Sequence, residues 1–511
     1  MTRIVLPYTY QRKRRNIMSK LDPVQKSYFN RNKWVYSLGG IGRDLAYSLY
    51  TYFLLTFILY TKGVTEGQFA AISIIMVICR IWDGINDPIM GGIIENTHSK
   101  FGKFKPWILI GAITNAIVLV LIYTLPLKGS AFVIAFTFLY LIWDITYTMN
   151  DIGYWSMLPS LTSEPRERDV ITSMSNLFAG LGTILANGLV PILTVGSLAI
   201  GNSAVTGYRV VAIVIGLVFI GCQTSVFVGV KEKPVPEQKN DEKIGFKQMV
   251  KIIFNNKQVL WTALILLFVN LSGALLTAFG TNYIYLSYGY EGSFTTIFVI
   301  FYGAASGLSF VIYPLLTKKF KRKQIVKMSF ILTIAGYICF FLSGTLIKNN
   351  NNLSFYILCA ESLFIGLGYS LFYLIAAIFL SNTIEYNEYM TGERNEALIF
   401  SVRPFMAKLS SSLQQIIIMV VYLAIGLTDI TNKISDAENF AMSDPELWTV
   451  DYKAAYIADV LSGASDGMTL ALRCVMAVLP VLFMAVGYWA TMRKYIIDEE
   501  MYDDILKKLN K

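Results

Sequence analysis

Twelve stretches of the chain are apolar for long enough to cross a bilayer, and polar, basic or proline-containing segments separate them. A crossing helix needs about 20 mostly apolar residues, because the hydrocarbon layer is about 30 Å thick and a helix rises about 1.5 Å per residue. The stretches run roughly 36–61, 69–94, 106–126, 131–158, 169–199, 207–230, 258–288, 293–317, 325–347, 353–384, 395–428 and 466–492. Several exceed the minimum, which predicts tilted or kinked helices. Pro159 near one helix end and Pro404 inside the eleventh stretch are breakers that fit this. The longest stretch assigned to the terminal side between spans, KEKPVPEQKNDEKIGFKQMVKIIFNNK at 231–257, carries two prolines and then the amphipathic run FKQMVKIIF. It divides the stretches six plus six, as expected of a transporter with two repeated halves and a midplane site between them. No internal sequence repeat is visible, so this expectation rests on the count and on that segment. The domains expected are an arm at 1–33, a six-helix bundle at 34–230, the central loop 231–257, a second bundle at 258–494 and a tail at 495–511.

Composition agrees with the pattern. Of 511 residues, 55% are hydrophobic and only 15% charged, where a soluble domain has about a quarter charged. Mean hydropathy is +0.52. The net charge of +10 is not a nucleic-acid signal, because its distribution explains it. Most of the 44 Lys and Arg fall in the N-terminal arm, in alternate loops and in the tail, while Lys62, Lys128, Lys348, Lys433 and Lys453 fall on the other side. By the positive-inside rule both termini should be cytoplasmic, in a multi-pass protein of the plasma (inner) membrane. The first 33 residues are basic, with QRKRR at 11–15, and hold no apolar run. No cleavable signal peptide is expected there, and a membrane-surface arm is. The one histidine, His98, leaves no cluster for a metal and no room for a fused phosphotransfer domain built on a histidine. Cys79, Cys222, Cys339, Cys359 and Cys474 all lie in apolar stretches without paired spacing, as small buried side chains do.

Against this apolar background, Asp44, Asp83, Asp87, Asp151 and Lys408 lie inside spans. Each costs roughly 2.5–3.5 kcal/mol at a helix centre on insertion scales, so their retention marks a function. Asp83 and Asp87 are four apart in ICRIWDGINDPIMGG and share a helix face. Two carboxylates about 6 Å apart repel by about 3 kcal/mol at an effective dielectric near 20. Such a pair demands a proton, a metal cation or a basic partner. Asn86 adds a neutral oxygen, and Pro88 loosens the helix ladder beside it. Oxygen ligands of this kind suit Na⁺ as well as a proton. Pairing of Asp83 with Arg80, three residues earlier, is the structural alternative.

RIWDGINDPIMGG followed by GKFKPWILIG resembles the signature of the glycoside–pentoside–hexuronide:cation symporters, the melibiose-permease group of the major facilitator superfamily. GIGRDLAYSLYTYF, DIGYWSMLPSLTSEPRERD and IEYNEYMTGERNEALIFSVRPFMAKLSSSLQQ extend the resemblance, in the family's order, over most of the chain. It implies an all-α membrane protein of twelve helices in two six-helix halves, and not an enzyme. It implies a cation site at Asp83 and Asp87, with a hydroxyl from Thr148 and with Asn86 nearby; these would be metal ligands if the ion is Na⁺. Lys408 would be a movable positive partner that competes with the cation and couples the sites. Asp44 and Asp151 would accept hydrogen bonds from solute hydroxyls, since each carboxylate can take two in a fork. Trp155, one turn from Asp151, would stack on a sugar face or, alternatively, anchor the helix end at the interface.

The chain departs from the family's best-known member in three places. Asn176 stands where that protein has a sugar-binding arginine, Gly153 where it has a proline, and Tyr373 where it has a tryptophan. An asparagine donates fewer and weaker bonds than a guanidinium, so the class carries over while the identity of the sugar does not. The expected function is uptake of a glycoside, pentoside or hexuronide with Na⁺, Li⁺ or H⁺ by alternating access, with no cofactor beyond that ion. The expected partners are the small sugar, a monovalent cation and the lipid bilayer, with no nucleic acid, and a monomer suffices. A related symporter of a lysolipid-like solute is the alternative, against which the carboxylate-rich first and fourth helices argue. Asp144, Glu361 and Arg403 are expected to be structural, with Arg403 paired to a loop acid. Lys100, Lys103 and Lys105 are expected to set topology and contact anionic lipid, and the resemblance implies that the stretch with Glu385, Glu388, Glu393 and Arg394 is the counterpart of their loop in the second half. The external segment 429–465, with seven acids against two lysines, is expected to be a solvated loop with a short surface helix; a small lid over the outer entrance is the other reading.

Overall fold

In hydrocarbon every backbone N–H and C=O must be satisfied within its own segment, so each apolar stretch becomes a helix. The computed structural model describes residues 23–162, 164–231, 256–346, 351–392, 395–463 and 466–509. The QRKRR run, nearly all of the central loop, Lys348, Glu393 and Arg394 lie outside the described residues. The first crossing is composite: α1 (Pro23–Ser48), a π turn (Leu49–Phe53) and α2 (Leu54–Thr61). It starts well before residue 36, the expected boundary. The first half continues with α3 (Glu66–Glu95), α4 (Lys105–Thr124), α5 (Gly129–Ser156), the short α6 (Leu158–Leu161), α7 (Pro165–Thr194) and α8 (Ala204–Gly229). The second half holds α9 (Lys257–Tyr288), α10 (Gly292–Leu316), α11 (Arg322–Leu346), α12 (Asn351–Thr391), the short α13 (Glu396–Phe400) and α14 (Val402–Ala424). It ends with α15 (Leu427–Ser443), α16 (Val450–Ser462), α17 (Asp466–Arg493) and α18 (Glu499–Lys508). Eleven described helices are each long and apolar enough to cross a membrane, and the composite first crossing makes twelve.

The two halves repeat one packing scheme. In the first, α1 packs on α7 and α8, α4 on α5 and α8, and α3 on α5. In the second, α9 packs on α14 and α17, α11 on α12 and α17, and α10 on α12. Each pair in one half maps onto its counterpart six crossings later. The contacts between halves obey the same symmetry, α3 against α14 and α7 against α10. Small residues permit the close approaches. A Cβ on Gly182 of α7 would come within 2.4 Å of the Ile41 carbonyl oxygen of α1, and one on Gly292 within 1.9 Å of the Pro191 carbonyl oxygen across the halves.

α3 shows how the sequence divides its faces. Thr65 and Gln68 cap its start reciprocally. Ile74, Ile78, Ile81, Ile85 and Ile89, spaced three and four apart, are exposed as a lipid-facing stripe. Ser73, Cys79, Asn86 and Met90 are buried against the protein. The acids Asp83 and Asp87 therefore face away from lipid.

The end opposite the termini, here the distal end, is closed. Tyr60 donates to Asn282 at 2.7 Å, the Thr296 hydroxyl to the Gly188 carbonyl at 3.0 Å, and the Ser197 amide to Glu291 at 3.1 Å. Segment 429–465 completes the closure and corrects the expectation of a solvated loop. It folds as α15 and α16, which lie over the first half. The reason is α15's period: Leu427, Ile430, Ile434, Ala437 and Ala441 are buried while Asp429 and Asp436 face outward. Glu438 is on the buried side, where its side chain accepts from the Ala204 amide at 2.6 Å, at the start of α8, and pairs with Lys453 at 3.3 Å. Lys453 also donates to the Asn202 carbonyl at 2.7 Å, and Ser203 to the Glu438 carbonyl at 2.6 Å. Asn439 reaches the Thr61 carbonyl at 2.9 Å and Asn432 the Val64 carbonyl at 3.1 Å. Burial raises the Glu438 carboxyl above its usual range, opposed by Lys453 and the Ala204 amide.

Removing one partner of a buried ion pair costs about 3–5 kcal/mol, because it strands the other charge. Glu438→Ala is expected to release the lid, and hydrogen exchange should then lose its protection over α15 and α16. Glu438→Gln, which keeps the acceptor oxygen, should lose less.

Candidate functional site

α3 and α5 pack side by side and run in the same direction from the distal end. Their polar residues fall in matching register: Arg80, Asp83 and Asp87 on one, Asp144, Thr148 and Asp151 on the other. The Thr148 hydroxyl donates to Asp83 at 3.2 Å. Lys408 reaches in from α14 of the other half. Its Nζ is 3.1 Å from Asp83 Oδ2 and donates to Asp87 Oδ2. Asp83, Asp87, Thr148 and Lys408 thus meet where the two halves touch. Asp83 is taken by Lys408 and Thr148, not by Arg80. Asn86 is buried beside them with its Nδ2 unpartnered.

The local backbone presents Lys408 at this point. The eleventh stretch does not kink at Pro404. It breaks at Ser401, between α13 and α14, and Pro404 lies in the first turn of α14, where a missing N–H costs nothing. Lys408 follows one turn later. Chemically, one ammonium stands against two carboxylates, and a monovalent cation held by the same oxygens would replace it charge for charge. Among the described residues no three His, Cys, Asp or Glu side chains gather as a metal site. The remaining oxygens for an ion here are those of Thr148 and Asn86.

A second cluster lies beside the first, on α1 and α5. Arg43 is 4% exposed. Its Nη2 is 2.7 Å from Asp44 Oδ1 and its Nε donates to the same oxygen at 2.8 Å. Its Nη1 is 3.1 Å from Asp151 Oδ1, close enough for an ion pair but not aligned as a hydrogen bond. The guanidinium carbon sits 4.8 Å from both the Tyr154 and the Trp155 ring centroids. Asp44, Asp151 and Trp155 are therefore brought together by an arginine to which the sequence reading gave no role. Its signal was present in GIGRDLAYS, a second charge inside an apolar span.

Exposure rises along both helices away from the distal end. The side chain of Asp83 is 14% exposed and that of Asp87 41%, while buried Thr148 is followed by Asp151 at 36%. With the distal end closed, both clusters open toward the side of the termini.

The other residues are placed as follows. Asn176 of α7 is exposed, and Tyr373 of α12 accepts from Arg403 at 3.2 Å. A loop acid was expected for Arg403, but a planar guanidinium next to a phenol oxygen finds this partner within the bundle. Glu361 is buried, with Ser343 and Arg473 as its polar neighbours. Lys105 donates to the Val230 carbonyl at 2.7 Å within its own half.

The repeated six-helix halves are those of a major facilitator fold. The chain aligns over 92% of its length with a bacterial homolog of the human lysosomal transporter Spinster in an inward-facing, unoccupied conformation, covering 99% of that chain (TM-score 0.58, 13% identity). It aligns over 94% with the inward-open xylose transporter XylE of E. coli, covering all of it (TM-score 0.54, 13% identity). Residues 35–499 match the family model described as MFS/sugar transport protein, and the chain belongs to that family. It is an integral membrane protein. Its relatives include a raffinose carrier protein of Pediococcus pentosaceus (28% identical, 78% of this chain and 63% of the relative) and a lactose permease of Lactobacillus helveticus (30%, 77% and 62%). The chain thus spans under two thirds of the length of these relatives. An isoprimeverose transporter of Lactiplantibacillus pentosus is 24% identical over 74% of this chain and 76% of its own length.

Arg43→Ala would leave Asp44 and Asp151 facing each other without a counter-charge. Thermal unfolding of the purified protein should register a loss of about 3–5 kcal/mol. Arg43→Lys keeps the charge but loses the fork to two carboxylates, and should fall between.

Proposed function

We propose that the protein is a secondary symporter that couples a monovalent cation to uptake of a sugar or glycoside by alternating access. The observation that carries this is Lys408, which arrives from one half to neutralise Asp83 and Asp87 of the other. The cation binds at Asp83 and Asp87 with oxygens from Thr148 and Asn86. It displaces Lys408, and the freed ammonium and the rearranged α14 face complete the neighbouring solute pocket. There Asp44 and Asp151 accept solute hydroxyls, Arg43 orients them, and Trp155 offers a ring face. Each ligand then raises the affinity for the other, and linkage makes the effect reciprocal. The names of the raffinose, lactose and isoprimeverose relatives support a sugar as the solute. The excess of Lys and Arg on the side of the termini supports a cytoplasmic location for that side in a plasma membrane. The described conformation is then inward-open. Asn176, exposed and neutral, and Tyr373 widen the choice of solute rather than fix it.

The test is uptake of labelled glycosides, pentosides and uronides into vesicles under an imposed Na⁺, Li⁺ or H⁺ gradient. One solute accumulating with one gradient supports the reading, and folded protein that accumulates none under any gradient rejects it. Asp83→Cys and Asp87→Cys should each abolish gradient-driven accumulation. Normal concentrative uptake in either would remove the cation site from these residues.

A further inference from the structure

Lys408, Gln415 and Tyr422 are spaced seven residues apart and so share one face of α14. Each of them meets α3, which runs in the opposite direction. Lys408 pairs with Asp83 and Asp87. The Gln415 amide donates to the Ser73 hydroxyl at 3.3 Å, and both residues are buried. The Tyr422 ring lies 6.2 Å from the ring of Phe69. One face of α14 thus follows the seam between the halves from the paired carboxylates to the distal end.

At that end Tyr422 is tied into the closure. Asn282 Nδ2 of α9 donates to the Tyr422 hydroxyl at 2.6 Å. That hydroxyl gives its one proton to the Ala278 carbonyl at 3.3 Å. Asn282 Oδ1 is then left to accept from Tyr60 of α2, at 2.7 Å. Tyr60, Asn282 and Tyr422 are 1%, 3% and 0% exposed. The Tyr422 bonds lie within the second half, and the Tyr60 bond alone crosses between the halves. An amide is planar, so fixing its nitrogen on Tyr422 aims its oxygen at Tyr60.

We propose that Tyr422 is a positioning residue for the distal closure: it aims the Asn282 amide at Tyr60 and, through the α14 face it shares with Lys408, ties that aim to the pairing of Lys408 with Asp83 and Asp87. This rests on the cation-coupled reading above. A cation that takes the carboxylates releases Lys408 and the α14 face, and the amide loses its aim. A mis-aimed amide is costly while it is buried and is satisfied by water once the distal end opens. By linkage, whatever loosens the closure favours the state in which the carboxylates are free for the cation.

The test titrates purified full-length protein with NaCl, with LiCl and with acid, read by intrinsic tryptophan fluorescence. A wild type that responds to none of the three rejects the cation-coupled reading, and this inference with it. For the ion that wild type does bind, Tyr422→Phe should lower the half-saturating concentration about threefold or more, the effect of one hydrogen bond lost from the closed state. This variant deletes one oxygen and breaks no hydrogen bond between the halves. Tyr60→Phe, which breaks the cross-half bond alone, should lower the concentration as much, and the double variant should match either single one. Unchanged or weaker ion binding in folded Tyr422→Phe overturns the inference, since that is what a packing role alone would give. So does a double variant in which the two effects multiply, because the two hydroxyls would then act independently. A second measurement needs no variant. Saturating ion should reduce the hydrogen-exchange protection of wild type over α2 and over residues 279–288 of α9. Protection that the ion leaves unchanged there also overturns the inference.

Discussion

Lys408 is the charge on which the arrangement turns. It belongs to one half, and both of its carboxylate partners belong to the other. Such a cross-interface pair is strong only while its geometry is kept, and stranding a mostly buried member such as Asp83 is costly. The register of α3 against α5 and the break at Ser401 ahead of α14 both serve to place these few atoms. The repeated packing scheme does so at larger scale, because it sets α3 against α14 as it sets α7 against α10.

The two clusters differ in kind. Around Asp83 and Asp87 the base is a long, flexible ammonium chain that comes from the other half. Around Asp44 and Asp151 the base is a planar, buried guanidinium stacked on two rings. Under the proposed symport the first exchanges its cation for another of equal charge. Under the same reading the second keeps its counter-charge and offers the remaining carboxylate oxygens to a neutral ligand. Asp151 and Asp87 are the more exposed acids of the two clusters.

Much of this was legible in the sequence. Span length and hydropathy sufficed to place the crossings, because lipid admits little else, and the intramembrane acids stood out against it. Three features were not legible. Arg43 could be seen as a charge in a span, but adjacency to Asp44 does not say that one guanidinium also reaches Asp151 on another helix. The repeat between halves is a repeat of packing partners, which different side chains can satisfy, so the sequence carries no visible trace of it. The helices α15 and α16 read as solvated because seven acids dominate the segment. The one acid that decides its fate, Glu438, is compensated by Lys453 fifteen residues away and by the start of α8.

That lid has an uneven attachment. Its chain ends run into α14 and α17 of the second half, while several of its hydrogen bonds, among them those from both members of its buried ion pair, are made to the first. Any motion that parts the halves at the distal end pulls on it from both directions. Covalent tethers do not break, so the contacts with the first half must give way or the helices must hinge at Gly426 and near Asp466. Under the proposed alternating access the helices α15 and α16 would therefore move as a third body beside the two halves. That body lies over the distal end and not over the side of the termini, so it covers the approach to the two clusters from one face only.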